Sequence, residues 1–211
     1  MEISPRVQRR QLELDQRRSD ILQAASSIFG EKGFEGAQIA EIAKAAEVSL
    51  ASVYSLFEGG KEELYQDVIK ITAESIREIV VNKVEHVPDP AERLLTAVDS
   101  LFDCFEQNRD LLRIYTRSTG GLPWRMRSSM GDSSAEIFQR FTDWVVVLAR
   151  DAQGAGYLQG LDPEAFAMTL IGSITTTATF AIERAPEKPL TNAAPAVRAI
   201  CKRLLLGEEQ T

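Results

Sequence analysis

Histidine and cysteine, the side chains most used for general-base, thiol and metal chemistry, number one and two among the 211 residues of this chain. There is one histidine, His86, so the commonest general base is missing from nearly every position. It stands near a helix end before Pro88 and reads as a surface or cap residue. Cys104 and Cys201 each sit alone in an apolar helical pattern, the setting of core thiols and not of a thiolate metal site. Asp99 and Asp103, at i and i+4, share a helix face whose ordinary meaning is a wet surface. No nucleophile is paired with a base, and no glycine loop is built to cradle phosphate. The expectation is a protein that is not an enzyme, with no metal and no cofactor.

A different chemistry is available between Gln38 and Lys61. Ser49, Leu50, Ala51, Ser52, Tyr54 and Ser55 form a compact, uncharged surface, suited to a major groove, where it can touch base edges and thymine methyls. Two short helices must position it. Ile39, Ile42, Ala43 and Ala46 mark the first; after a break at Glu47-Val48, Ser49 is an acceptable N-cap for a second that carries Val53 and Phe57. Small Ala43 permits a close crossing, Val48 plugs the turn, and Val53 and Phe57 seat the second helix on the first. The outer face of the second helix is then free.

With these residues in place, the sequence resembles the tetracycline-repressor (TetR) family of bacterial transcription regulators. The resemblance runs through Arg18, Ile21, Leu22, Ala24, Ala25 and Phe29, then Gly33-Phe34, Ile39, Ile42-Ala43, Ala46, Val48-Ser49, Val53-Tyr54, Phe57, Lys61 and Leu64. It implies that Tyr54 and Lys61 hold DNA phosphates, that the helix from Ser49 to Ser55 reads the major groove, and that the helix starting at Lys61 links to a ligand-binding domain. Lys61 at a helix amino terminus, where free N–H groups favour an anion, suits that role. The chain departs from the family at Ala37, which cannot cap and leaves Gln38 to compensate, and at Glu47, Ala51 and Leu56. Arg17 and Arg18, with Arg6, Arg9 and Arg10, are either a DNA-touching arm or a solvated tail, since Glu13, Asp15 and Asp20 are interleaved. Residues 1–70 hold nine Lys or Arg against twelve Asp or Glu, so positive charge must be concentrated on the DNA side. The alternative reading, motivated by Ala37, Glu47 and that balance, is a helical ligand-binding or protein-interaction dimer that no longer grips DNA.

The remaining pattern is helical throughout. Ile21 to Phe29 mark a first helix behind Ser19-Asp20, a long helix runs from about Lys61 to Glu85, and others carry Leu94 to Phe105, Leu111 to Tyr115 and Ile137 to Leu148. Asp162-Pro163 starts the eighth, and Val197 to Leu205 form the ninth, closed by Gly207. No alternating strand pattern occurs, so the fold class is all-α with about nine helices. The expected organisation is a flexible, mixed-charge arm over 1–16, a helix-turn-helix domain over 17–65, and a helical ligand-binding and dimerisation domain over 66–211. The resemblance puts a pocket among the middle helices, for which Phe102, Phe105, Tyr115, Trp124, Phe141, Trp144 and Met168 are the large adaptable side chains. It makes the last two helices a homodimer interface, assigned to Phe166, Leu170, Ile174, Ala178, Val197, Cys201 and Leu204; a packed interior face is the alternative. The expected partners are a double-stranded DNA operator, an unknown small-molecule effector and a second copy of the chain.

Composition sets outer limits. Apolar residues make up 44% and charged residues 26%, enough for a packed core, and the net charge of −7 argues against indiscriminate coating of nucleic acid or anionic membrane. The longest purely apolar run, Trp144 to Ala149, is far below the roughly 20 residues that span a bilayer, and the first twenty residues lack a signal-peptide core. The expected location is the cytoplasm, with no membrane partner.

Overall fold

The computed structural model describes residues 4–122 and 125–207, and among them all regular structure is helical. The order is α1 (Pro5–Gly36), α2 (Ile39–Ala45), α3 (Leu50–Leu56), α4 (Gly60–Glu85), α5 (Pro90–Gln107), α6 (Arg109–Thr119), α7 (Met126–Met130), α8 (Asp132–Gly154), α9 (Pro163–Arg184), a 3-10 turn (Leu190–Ala193) and α10 (Ala194–Leu206). The nine helices read from periodicity are all present. The five-residue α7 is the addition, too short for its pattern to show in sequence.

The helix starts follow local chemistry. Asp89 accepts a hydrogen bond from the Glu92 N–H at 2.8 Å with Pro90 in the first turn of α5, and Asp162 does the same for the Ala165 N–H at 2.8 Å with Pro163 in α9. Hydrogen bonds from the Glu92 N–H and the Tyr157 hydroxyl hold the Asp89 carboxyl below its ordinary pKa. That anchoring is therefore complete above the ordinary carboxylate range and is lost as pH falls through the lowered value.

The chain divides into two compact units, residues 1–71 and 72–211, with the boundary inside α4. The first unit reaches a little past residue 65 because Leu64, Tyr65, Val68 and Ile69 of α4 are buried in its core. There the Tyr65 ring meets Phe29 and Phe34 edge-on, with centroids 5.0 and 4.9 Å away. α1 breaks at Gly33, whose φ of 72° favours glycine.

The start of α1 corrects the expected arm. From Pro5 the chain is already helical, with Pro in the first turn and Gln11 and Gln16 donating to Asp15 and Asp20 one turn on, at 2.9 and 2.8 Å. The periodic signal began only at Ile21 because residues 4–13 are exposed on every side.

In the second unit α5 is central, packing on α8, α9, α10 and the 3-10 turn through Leu94, Leu95, Val98, Leu101 and Phe102. Asp99 pairs with Arg198 at 2.7 Å and Asp103 with Lys83 at 3.3 Å, so each carboxylate of this pair has its own cation. Cys104 and Cys201 are free and buried, and burial pushes the Cys201 thiol up to about 12. His86 is exposed, its Nδ1 3.3 Å from the Asn82 carbonyl.

α9 is long and apolar enough to cross a membrane by composition, with mean hydropathy 1.5 over its best window, of which 44% is buried. Its scattered Ser, Thr and Gly interrupt the apolar run without making the helix polar.

Candidate nucleic-acid interface

The helix-turn-helix forms as its residues dictate. Ile42, Ala43, Val53 and Phe57 are buried between α1, α2 and α3, and the turn closes with the Val48 N–H donating to the Ala43 carbonyl at 2.9 Å. Glu47, in that turn, holds a φ of 54°, a left-handed conformation that costs a residue with a Cβ about 1 to 2 kcal/mol. Glu47→Gly is therefore expected to stabilise the first unit by about 0.5 kcal/mol once glycine's greater chain entropy is set against the relief, and Glu47→Val to destabilise it by about 1 kcal/mol. Urea unfolding of the two variants against the parent checks both signs.

Ser49 caps α3, accepting from the Ser52 N–H at 3.1 Å, and its hydroxyl lies 2.8 Å from that of Ser52. The cap fixes where α3 begins and so which residues turn outward. Leu50 and Tyr54 are about half exposed, and Ala51 and Ser55 are exposed beside them, giving an uncharged outer face.

Beside this face runs an open groove of about 480 Å³ lined by Gln38, Ile39, Ala40, Leu50, Tyr54, Gly60 and Lys61. Gly60 has a φ of 65°, a left-handed turn that favours glycine, and the Tyr54 ring lies beside it at the start of α4. Lys61 is steered by the end of α1: its ammonium donates to the Glu35 carbonyl at 3.3 Å and lies 4.6 Å from the centre of the Phe34 ring. Gln38 occupies the N-cap position of α2 but makes no side-chain cap bond, so it does not compensate for Ala37, which is buried one position earlier. A phenol, an ammonium and uncapped helix N–H groups thus converge on one groove, a donor set that suits a phosphate.

Arg17 is exposed and free to reach out, but Arg18 is not, which corrects its expected role. Its guanidinium donates to the Leu56 carbonyl at 2.8 Å, pairs with Asp67 and lies 4.3 Å over the Phe57 ring. It ties α1 to the end of α3 and to α4.

Residues assigned to a pocket in the second unit scatter. Phe102 is fully buried core, Phe105 is half-buried, and Phe141 and Trp144 are half-buried with ring centroids 5.4 Å apart. Trp124 lies outside the described residues. Met168 is 52% exposed on α9 and is withdrawn from the pocket. Tyr115 is buried beside Thr119 and Thr175; its hydroxyl meets no partner at hydrogen-bond geometry, and burial raises its pKa.

The interface assignment is also corrected. Phe166, Leu170, Ile174, Ala178, Val197 and Cys201 are all buried within the unit itself, and Leu204 is half-buried, so this stripe is interior packing. The other side of α9 is the open one: Met168, Thr176 and Phe180, four or eight residues apart, are exposed with half-buried Gly172 between them. α10 likewise turns Ile200 and Leu206 outward.

The first unit is thus a helix-turn-helix domain whose second helix presents a capped, uncharged outer face. Residues 21–68 match the model of the bacterial regulatory proteins of the tetR family. It is 29% identical over 109 residues to the HTH-type transcriptional regulator HbdR of Aromatoleum sp. (strain CIB), a stretch covering 52% of this chain and 47% of HbdR. The chain spans about half the length of the curated relatives it matches. Its fold is similar to that of the fatty acid degradation regulator FadR from Bacillus halodurans, with a TM-score of 0.76, 18% identity and 100% of both chains covered. It is also similar to that of FadR from Bacillus subtilis in complex with stearoyl-CoA, with a TM-score of 0.73, 19% identity, and 90% of this chain and 99% of that one covered.

Proposed function

We propose that this protein is a ligand-responsive transcriptional repressor that binds a roughly palindromic DNA operator as a homodimer in the bacterial cytoplasm. The observation that carries this reading is the outer face of α3, uncharged and exposed, beside a groove where Tyr54, Lys61 and the start of α2 offer donors. Leu50, Ala51, Ser52 and Ser55 face base edges, while Tyr54, Lys61, Gln38 and Arg17 hold the backbone. Dimerisation uses the open stripe of α9 with α10, where small Gly172 and Thr176 allow a close approach between copies. The stearoyl-CoA bound by the Bacillus subtilis neighbour supports a small-molecule effector site in the second unit. Effector and operator then oppose one another by linkage: an effector that weakens DNA binding binds the DNA-bound protein less tightly by the same factor.

Tyr54→Ala and Lys61→Ala are each expected to weaken operator binding about tenfold while leaving the dimer intact. Lys61→Ala also lowers the slope of log affinity against log salt by about 0.9, the share of one phosphate. Titrations on a selected operator at several salt concentrations read both effects. Unchanged affinity in both variants would remove the phosphate roles and favour the interaction module, a reading that the acidic balance of residues 1–70 keeps in play.

A further inference from the structure

Of the first thirteen residues of α1, only Arg17 takes part in the interface described above. Pro5 to Arg17 form a helical arm about 20 Å long. Residues 4–13 are exposed all round, and Leu14 is half-buried. A helix of this length with no packed face is marginal in water. Its sequence makes it more so: Arg6, Arg9 and Arg10 lie in the first two turns, where cations oppose the helix dipole, and the first turn holds no acidic residue. Around the axis Arg6, Arg10 and Arg17 fall within about 40° of one another and Arg9 about 60° further round. Glu13 lies among them, yet among the described residues none of these four arginines makes an ion pair or side-chain hydrogen bond. The aspartates of the same helix take theirs from Gln11 and Gln16 instead.

The arm leaves the domain at a defined place. Arg18, at its base, donates to the carbonyl of Leu56, the last residue of α3. A helix lying in a major groove is walled at its ends by phosphate backbone, so an arm rooted at the end of α3 starts next to that backbone.

We infer that the helical arm is a second, sequence-independent DNA contact, in which Arg6, Arg9 and Arg10 neutralise phosphates flanking each half-site. This rests on the DNA-binding reading above. Duplex phosphate supplies the anions that the arm's charge lacks among the described residues, and it offsets the unfavourable placement of those charges at the helix start.

The test uses the full chain and a selected operator, either with about ten flanking base pairs on each side or trimmed flush to the half-sites. The triple variant R6Q/R9Q/R10Q is expected to bind the long operator about 10- to 100-fold more weakly, with a salt slope smaller by about 2 to 3 and base preference unchanged. R6K/R9K/R10K keeps the parent's slope, and trimming the flanks removes the difference between glutamine variant and parent. A glutamine variant equal to the parent in affinity and slope on the long operator overturns the inference, as does a lysine variant as weak as the glutamine one. A parent that binds no selected operator defeats the DNA-binding reading itself, a separate result.

Discussion

Phe180→Glu is expected to break the proposed dimer while leaving the single chain folded. Phe180 is 58% exposed, and the Arg184 guanidinium lies 5.1 Å from the centre of its ring one turn on. Within one chain the substitution replaces that contact with a Glu-to-Arg pair at i, i+4, worth a few tenths of a kcal/mol, so the helix itself loses little. Across a two-fold interface it removes an aromatic anchor and sets carboxylates close to each other, a cost of at least about 3 kcal/mol, or more than 100-fold in self-association. Sedimentation equilibrium reads the dissociation constant, and circular dichroism checks that the helices remain. Operator affinity is expected to fall with it, because in the proposed dimer two half-sites are held by two linked domains. A dimer as tight as the parent's would move the interface away from the open stripe of α9.

Arg18→Ala is expected to destabilise the first unit by about 2 kcal/mol without changing the salt dependence of DNA binding. The loss combines a charge-assisted hydrogen bond to the Leu56 carbonyl, a cation–π contact with Phe57, and a partly exposed ion pair with Asp67 that is worth less than about 1 kcal/mol. Thermal unfolding reads the stability, and operator titration at several salt concentrations reads the slope. A slope smaller by about 0.9 with unchanged stability would return Arg18 to the phosphate contact its sequence position first implied.

What the sequence disclosed depended on how local the physics was. Ser49 as a cap, Asp162-Pro163 as a helix start, Gly207 as a stop, and Val53 and Phe57 as inward residues all follow from short-range rules, and the fold forms on them. The failures were of partnership. Arg18 sits beside Arg17 in sequence, but its partners lie 38 and 49 residues away, so only the structure separates a clamp from a free cation. α9 carries two low-polarity stripes, and periodicity selects the greasier one, Phe166 to Ala178, which is core; the open stripe holds Met168, Gly172, Thr176 and Phe180 and shows little hydrophobic signal. The groove beside α3 was half legible: Tyr54 and Lys61 were named, while the Phe34 ring that steers Lys61 depends on tertiary approach.

The central claim is that α3 reads a duplex as one of a pair. Selection of binding sites from a random duplex DNA pool with the full chain tests it most directly, followed by titration of the winning sequence at two salt concentrations. The account predicts an inverted repeat with half-sites about one helical turn or a multiple apart, bound with an affinity that falls steeply as salt rises. No enriched sequence from protein shown to be folded and dimeric would contradict it.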